Sequence, residues 1–365
     1  MKSTYFFNPI SVRDSMFRKD VLEWGKIYNL INHAVNTNDR TQTLKLPIHQ
    51  SIYDKCVMPA YATTNMSYQD CCDEKVKEIY ELSVRLNKPI GIMWSGGIDS
   101  TGVVVSFLRN YSIDDLRKRI KIIMSSQSIP ENPKFYMEYI LPNFPFVNSE
   151  TTPWLFDGSM ILVSGEFNDQ LFGSDMIRSL LISDKESVKR KLDKDYLLQF
   201  VNKKIGDLKI SRILCDAIYD SSDKHGIVLE KNSDWFWWFN FCFKWQNVHF
   251  RIYCLTMPKN VSSIDREWDK TYLHHFYQTD SFQLWSMNNP QVREFDDWKD
   301  YKLEAKKLIF DFNKDELYYQ NKIKSASLQN IFKDRILNEC VTDKFEIVES
   351  FNAEEFYNRD NSFNL

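Results

Sequence analysis

Short apolar runs alternate with longer amphipathic stretches in the middle of the chain. Three runs are dominated by apolar residues and are four to six residues long: Pro89–Trp94, Ile120–Met124 and Met160–Val163. Such runs are typical of strands buried on both faces of a parallel sheet. The apolar stretch 101–108 follows the first run and predicts a buried helix. This alternation predicts an α/β fold with a parallel sheet and right-handed crossovers.

Helical periodicity dominates the rest of the chain. The stretch 73–86 has apolar residues at helical spacing, so we expect it to pack on the sheet. Residues 181–335 are predicted to be mostly helical, with an apolar stripe over 183–204. The aromatic stretch 235–250 predicts a hydrophobic core rather than a cofactor-binding surface. The prediction divides the chain into four segments: an irregular or helical segment over 1–70, an α/β core over 71–180, a mostly helical part over 181–340 and an acidic tail over 341–365.

Glycine is sparse in this chain and is concentrated beside the predicted strands. Seven of the ten glycines lie between positions 91 and 173. Glycine is required where the backbone takes a positive φ or approaches a ligand closely. The clustering therefore predicts tight turns that face a ligand.

The first of these turns links the strand predicted at 89–94 to the helix that follows it. A strand, a glycine-rich turn and a helix N-terminus together bind phosphate, because backbone N–H groups and the helix dipole point into the turn. Hydroxyl groups add donors, and a carboxylate in such a turn suits Mg²⁺ that bridges phosphate oxygens. The turn matches neither the Walker sequence nor Gly-x-Gly-x-x-Gly. Its candidate phosphate-binding residues are Ser95, Gly96, Gly97, Asp99, Ser100 and Thr101.

This turn, with the sequence Ser-Gly-Gly-Ile-Asp-Ser, resembles the Ser-Gly-Gly-x-Asp-Ser pyrophosphate loop of the N-type ATP pyrophosphatases. A second turn, over 164–173, has the sequence Ser-Gly-Glu-Phe-Asn-Asp-Gln-Leu-Phe-Gly. It resembles the Ser-Gly-Glu-Gly-x-Asp-Glu-Leu-Phe-Gly-Gly element of the asparagine synthetase family. Phe167, Gln170 and Ser174 replace a glycine, a glutamate and a glycine of that element. The bulk of Phe167 argues against aspartate as the substrate, and Gln170 removes one charge near the expected metal.

The resemblance to the synthetase half of this family implies a PP-loop sheet of the adenine nucleotide alpha hydrolase-like (HUP) type. It also implies that the protein binds ATP and Mg²⁺. Asp99 and Asp169 each follow a predicted strand, and ligands bind at the carboxyl ends of parallel strands, so these two carboxylates are the expected Mg²⁺ ligands. Gly165 is expected in the nucleotide site. Backbone groups of Met124 and Ser125 are expected to contact the adenine and the ribose.

The same resemblance implies a two-step synthesis of an amide. A carboxylate substrate is adenylated with release of pyrophosphate, and ammonia or an amine then displaces AMP. Glu166 is expected to deprotonate the amine, and Lys324, with Lys322 as the alternative, is expected to stabilise the oxyanion. Glutaminase-containing members have cysteine after the initiator methionine, whereas this chain has Lys2. Ammonia is therefore expected from solution or from a separate glutaminase.

Two other functions stay open from the sequence. One is a PP-loop enzyme that modifies a nucleobase or tRNA. Such enzymes often carry catalytic cysteines or a zinc-binding cysteine cluster, and neither flanks the two turns, which favours the ligase. The other is an inactive nucleotide-binding module, in which Phe167 and Gln170 would mark the loss of catalysis. Pyrophosphate release with a suitable carboxylate distinguishes the ligase from both.

Composition limits the partners of the protein. Forty-seven basic and 50 acidic residues leave a net charge of −3, which argues against a nucleic-acid coat or a membrane-surface binder. A basic excess over 185–212 leaves room for a nucleic-acid partner without indicating one. The seven cysteines lack zinc or disulfide-framework spacing, and no apolar run is long enough for a signal peptide or a membrane span. We therefore expect a cytoplasmic protein with a small-molecule carboxylate substrate.

Overall fold

The computed structural model of the protein describes residues 39–43, 56–125, 128–149, 158–246, 248–249 and 271–324. These residues belong to two compact units, each built from stretches that are distant in sequence. The units combine stretches from several of the predicted segments, and the predicted tail over 341–365 lies outside the described residues. The sheet unit takes its described residues from Met66–Glu166, Ile264–Thr279 and Asp297–Leu365, and the helical unit takes its own from Met1–Asn65, Phe167–Ser263 and Asp280–Asp296.

The sheet unit contains a five-stranded sheet. Its strands lie in the order β3-β2-β1-β4-β5, and every neighbouring pair is parallel. Three of them coincide with the predicted strands to within one residue at each end. The predicted α/β fold with a parallel sheet is therefore confirmed. In chain order, the strands are β1 (Ile90–Met93), β2 (Ile120–Met124), β3 (Phe146–Asn148), β4 (Ile161–Ser164) and β5 (Leu273–His275).

Helices make up most of the remaining described structure. None of them has the length and apolar character that a membrane span requires, within the residues that the structure describes. Helices α1–α5, α13 and α14 belong to the sheet unit, and α6–α12 belong to the helical unit. In chain order, they are α1 (Tyr68–Leu86), α2 (Ile98–Asn110), α3 (Ile113–Arg119), α4 (Ser128–Glu131), α5 (Pro133–Phe135), α6 (Asn168–Phe172), α7 (Ser174–Ser183), α8 (Lys185–Lys189), α9 (Lys194–Ile205), α10 (Leu208–Lys224), α11 (Asn232–Phe243), α12 (Asp280–Asn288), α13 (Leu303–Asn313) and α14 (Glu316–Asn321).

Local capping explains why α1 begins before the predicted start at position 73. The Ser67 hydroxyl accepts a hydrogen bond from the Asp70 N–H at 3.1 Å, and the Asp70 carboxylate accepts one from the Ser67 N–H at 2.8 Å. This reciprocal pair is a capping box, which satisfies two N–H groups at the start of the helix. Asn87 ends the helix in the left-handed conformation at φ 48°. The helix packs against α2, which in turn packs against α13.

The helical stretch predicted over 183–204 is interrupted between α8 and α9. Leu192 donates its N–H to the Glu230 carbonyl at 2.7 Å, and the Arg190 carbonyl accepts from the Asn232 N–H at 3.1 Å. These bonds hold the chain extended, so an uninterrupted helix cannot form there. The Asp193 carboxylate then caps α9 by accepting from the Tyr196 N–H at 2.9 Å.

The aromatic helix α11 is a core element, as the sequence predicts. Trp235, Trp237 and Trp238 are all buried with at most 1% of their surface exposed. A buried ion pair fixes one end of this core, since Arg293 Nη2 lies 2.9 Å from Asp234 Oδ1. The Arg293 guanidinium also lies 4.0 Å from the centre of the Trp237 ring. Burial lowers the pKa of Arg293, and the Asp234 carboxylate opposes that shift.

Candidate functional site

The glycine turn between β1 and α2 contains one glycine in the left-handed conformation and one in the extended conformation. Gly96 takes a left-handed conformation at φ +77°. A Cβ atom on Gly96 would lie 2.2 Å from the Ser128 carbonyl oxygen and 2.5 Å from Glu131 Cβ, so no other residue fits here. Gly97 has φ −70° and begins α2 without a side-chain cap among the described residues. A helix N-terminus without a side-chain cap is a place where an anion can accept from the first N–H groups.

Gly97 has far more space around its Cα atom than Gly96 has. A Cβ atom on Gly97 would meet only the Ser95 hydroxyl at 3.3 Å, among the described residues within 4 Å. The glycine therefore preserves space above the start of α2 rather than relieving a clash with the fold. Space of this kind lets a ligand approach the backbone closely.

The three hydroxyl groups of the loop have different surroundings. Ser100 is 4% exposed, and its hydroxyl accepts from the Ser95 N–H at 3.1 Å. Thr101 is fully buried, and its hydroxyl accepts from the Trp94 indole N–H at 3.1 Å. These two groups brace the loop from inside. Ser95 is exposed, and its hydroxyl lies 3.1 Å from the Ser100 hydroxyl and accepts from the Gly97 N–H at 3.4 Å.

Asp99 has a partner that the sequence does not reveal. Lys302 Nζ lies 2.6 Å from both carboxylate oxygens of Asp99, and the Lys302 side chain has no exposed surface. Lys302 itself takes a left-handed conformation at φ 60°, directly before α13. The Tyr277 hydroxyl donates to the Asp99 backbone carbonyl at 2.9 Å. Because α13 packs on α2, a lysine 203 positions away in the chain neutralises the loop carboxylate.

Gly165 brings the second motif against the first. A Cβ atom on Gly165 would lie 3.0 Å from the Ser100 backbone nitrogen and 3.1 Å from the Asp99 carbonyl carbon. The backbone after β4 therefore touches the start of α2, at the carboxyl ends of two neighbouring strands. Glu166 is the next residue, is half-buried, and donates its N–H to the Ser164 hydroxyl at 3.5 Å.

The predicted magnesium ligands lie in different units. Asp99 belongs to the sheet unit, whereas Asp169 lies in the first turn of α6 in the helical unit. Their joint binding of Mg²⁺ stays a prediction. Among the described residues, no group of three or more His, Cys, Asp or Glu side chains is arranged to hold a metal. Mg²⁺ in phosphate sites commonly uses one or two carboxylates, water and the phosphates themselves, so it does not need such a group.

Met124 and Ser125 are located at the end of β2, where the sequence predicts contacts with adenine and ribose. The Met124 carbonyl accepts from the Ser149 N–H at 2.9 Å. Ser125 accepts from the Ser128 N–H at 3.0 Å and donates its own N–H to the Ser128 hydroxyl at 3.3 Å. These groups thus form the turn that leads into α4, the helix that faces Gly96. Their contacts with a nucleotide stay a prediction.

The two candidate lysines near the C-terminal end of the described chain differ in position. Lys322 is 1% exposed and forms an ion pair with Glu131, whose backbone carbonyl also accepts from Lys322 Nζ at 3.0 Å. Glu131 is the residue whose Cβ closes the space beside Gly96. Lys324, the first choice from the sequence, is half-buried, and its carbonyl accepts from the Trp298 indole N–H at 3.0 Å. Of the two lysines, Lys322 is therefore the one that contacts Glu131, the residue that packs against Gly96 of the loop.

Phe167 occupies a conformation that suits glycine. Its φ is +78°, it is 1% exposed, and its ring lies 4.7 Å from that of Trp245. The family element that this turn resembles has glycine at the same position. Gly173, which the element also contains, has φ +95°. The aromatic side chain is therefore accommodated on a backbone that costs an L-residue about 1–2 kcal/mol.

Replacing Phe167 tests this strain. Both Phe167→Ala and Phe167→Gly lose the buried ring and are expected to cost about 3–5 kcal/mol. Phe167→Gly is expected to be the more stable of the two by about 1 kcal/mol, because glycine adopts positive φ without strain. Urea unfolding of the two variants measures the difference. An alanine variant that is more stable than the glycine variant would show that the position carries no strain.

Comparison of the chain with protein-family models, with curated proteins and with solved structures finds no match.

Proposed function

We propose that this protein is an ATP-dependent ligase that adenylates a carboxylate substrate, releases pyrophosphate and then forms an amide with ammonia or an amine. The observation that carries the proposal is the loop between β1 and α2. Its glycines leave the start of α2 open, no described side chain caps the helix, and a buried lysine lies beside its carboxylate. These features suit the β- and γ-phosphates of a nucleoside triphosphate.

The sheet supports the same proposal. β1 is the middle strand of the order β3-β2-β1-β4-β5, and the loop follows it directly. In parallel α/β sheets, ligands bind beyond the carboxyl ends of the strands. Gly165, after the neighbouring strand β4, touches the start of α2 at this same end. We infer that the sheet is of the PP-loop type, with the nucleotide beyond β1 and β4.

The loop residues and Lys302 would act mainly through position and charge. Backbone N–H groups at the start of α2 and the Ser95 hydroxyl would donate to the leaving pyrophosphate. Asp99 would hold Mg²⁺, which would neutralise phosphate charge when it is bound. Lys302 would hold the Asp99 carboxylate in its position through the two contacts at 2.6 Å. Stabilisation of developing charge by fixed groups is commonly the largest contribution to such a reaction.

The proposed reaction forms and breaks two bonds in two steps. A carboxylate oxygen of the substrate bonds to the α-phosphorus of ATP, and the bond from that phosphorus to the bridging oxygen of the β-phosphate breaks. The nitrogen of ammonia or an amine then bonds to the acyl carbon, and AMP leaves. Glu166 would take the proton that the nitrogen loses. Its half-buried carboxylate, next to the close approach of Gly165, supports that role.

Product analysis tests the function. Purified protein is incubated with ATP, Mg²⁺, ammonium and a panel of carboxylic acids, and the nucleotide products are separated. The proposal expects AMP and pyrophosphate in equal amounts, only when a suitable acid is present. ADP with phosphate as the products would contradict it. If the release of AMP and pyrophosphate required a nucleobase or tRNA instead of an acid, the protein would be a base-modifying enzyme and not a ligase.

The lysines give a separate prediction about the same reaction. The buried contact of Lys322 with Glu131, beside Gly96, supports Lys322 as the lysine that acts near the loop. Lys322→Gln is expected to lower the rate of amide formation at least about a hundredfold. It is also expected to cost about 3 kcal/mol of stability, because it removes one side of a buried ion pair.

Lys324→Gln is the matched control. It is expected to change stability by less than about 0.5 kcal/mol, as most substitutions away from buried pairs do. Rates per folded molecule are compared after urea unfolding has given the stability of each variant. A large loss of rate with Lys324→Gln and none with Lys322→Gln would assign the role to Lys324.

A further inference from the structure

Arg40 in the helical unit is half-buried, and its guanidinium has hydrogen-bond donors that no described residue uses. Arg40 donates its backbone N–H to the Cys242 carbonyl at 3.2 Å and its Nη1 to the Gln283 side-chain oxygen at 2.8 Å. Its Nε and Nη2 atoms are shielded from solvent and have no hydrogen-bond partner in the described parts of the chain. Leaving buried donors of a charged group unpaired is costly, so such atoms call for an explanation.

A third donor without a partner among the described residues lies beside these two. The Arg40 guanidinium carbon is 4.4 Å from the ring centre of Phe241 and 4.4 Å from that of Trp245. The two ring centres are only 4.9 Å apart, so both rings lie on the same side of the guanidinium. The indole N–H of Trp245 is also buried without a partner among the described residues. Three donor atoms therefore lie close together, and no described residue supplies an acceptor for them.

The charge of Arg40 is not neutralised by a described acid. Burial lowers the pKa of Arg40 to about 10, which still leaves the guanidinium charged at neutral pH. Asp39 and Asp280 raise this pKa from a distance, but neither forms an ion pair with Arg40 in the described structure. The Asp39 carboxylate instead accepts from the N–H groups of Thr41 and Thr43 at 2.8 and 2.7 Å. Burial raises the pKa of the Cys242 thiol well above its usual value, so this thiol is not a thiolate that could neutralise Arg40.

We propose that Arg40 and Trp245 bind the carboxylate group of a ligand. Nε and Nη2 lie on the same edge of the planar guanidinium, and that edge matches the two oxygens of a carboxylate. The indole N–H supplies a third donor, and the rings of Phe241 and Trp245 supply an apolar surface for the body of the acid. One cation with a neutral donor suits a monoanion better than a phosphate dianion. The ligand is therefore a carboxylic acid with an apolar or aromatic body.

This site does not depend on the proposed nucleotide chemistry, because it lies in the helical unit and needs neither ATP nor Mg²⁺. Calorimetric titration of the full chain with benzoate, acetate and inorganic phosphate, without nucleotide, therefore tests it alone. Benzoate is expected to bind saturably and more tightly than acetate, and phosphate is expected not to bind. Tighter binding of phosphate than of benzoate, or no saturable binding of either carboxylate, would overturn the proposal.

Three variants identify the donors. Arg40→Lys keeps the charge but loses the planar edge, and is expected to weaken benzoate binding at least tenfold. Trp245→Phe keeps a ring but loses the indole N–H, and is expected to weaken binding about threefold or more while retaining the guanidinium. Arg212→Lys makes the same change on an exposed arginine of the same unit and is expected to bind as the wild type does.

The variants also separate binding from folding. If Arg40→Lys does not fold, Trp245→Phe still decides, because the arginine remains in place. Unchanged benzoate binding in a folded Arg40→Lys or Trp245→Phe protein would overturn the assignment. Absence of binding in the wild type, together with unfolding of Arg40→Lys, would mean that the guanidinium serves the fold alone.

Discussion

Asp99→Asn is expected to lose both activity and stability. The loss of the carboxylate should reduce pyrophosphate release at least about a hundredfold, since it removes a group that positions the leaving phosphates. The same change places an amide instead of a carboxylate against the fully buried Lys302 side chain and so breaks this ion pair. Breaking one side of a buried ion pair costs about 3–5 kcal/mol. Lost activity alone would therefore not prove a role in catalysis.

A double variant separates the two effects. Asp99→Asn with Lys302→Met removes both charges, so it is expected to recover about 2 kcal/mol of the lost stability. Its activity is expected to stay at the level of Asp99→Asn. Asp114→Asn serves as the control, because Asp114 is an exposed aspartate of the same unit whose contact with Arg117 is a surface pair.

Urea unfolding and pyrophosphate release are measured on all three proteins. Recovery of both stability and activity in the double variant would mean that Asp99 only supports the fold. Full activity of Asp99→Asn would remove the carboxylate from the mechanism.

Gly96→Ala is expected to be among the most destabilising single substitutions in the sheet unit. The added Cβ would lie 2.2 Å from the Ser128 carbonyl oxygen, which is backbone and cannot move without shifting α4. The position also has φ +77°, which costs an alanine about 1–2 kcal/mol. The total is expected to be at least about 3 kcal/mol.

Gly97→Ala makes the same chemical change one position along the loop. Gly97 has φ −70°, and its added Cβ would meet only the Ser95 hydroxyl at 3.3 Å. The cost to stability is expected to stay within about 1 kcal/mol. Thermal and urea unfolding of the two variants compare them directly. Equal stabilities would show that the packing of α4 on Gly96 is not the constraint described here.

The sequence predicts the buried part of the sheet and misses its edges. β1, β2 and β4 are dominated by apolar residues, and their bounds agree with the prediction to within one residue. β3 and β5 have three residues each and lie at the two edges of the sheet. Strands of that length carry no usable periodicity, and β5 includes the polar pair His274 and His275. Its pairing with β4 is set by tertiary packing rather than by local sequence.

In the candidate site, too, the sequence predicts the residues with local backbone requirements and misses those brought in by distant packing. The loop glycines are visible in sequence because their backbone demands are local: Gly96 has positive φ, and Gly165 closely approaches the next loop. Lys302 is not visible, because only the packing of α13 on α2 brings it to Asp99. The choice between Lys322 and Lys324 depends likewise on one distant contact, with Glu131. Partners that are 191 and 203 positions apart leave no local signal.

The most direct test of the central claim is equilibrium binding of ATP, with Mg²⁺, to the wild type and to Gly97→Ala. The loop between β1 and α2 is predicted to hold the phosphates, so the wild type should bind ATP. The added methyl group should weaken that binding at least tenfold while the unfolding temperature stays nearly the same. A wild type that binds no ATP, or a folded Gly97→Ala protein that binds it equally well, would contradict the account.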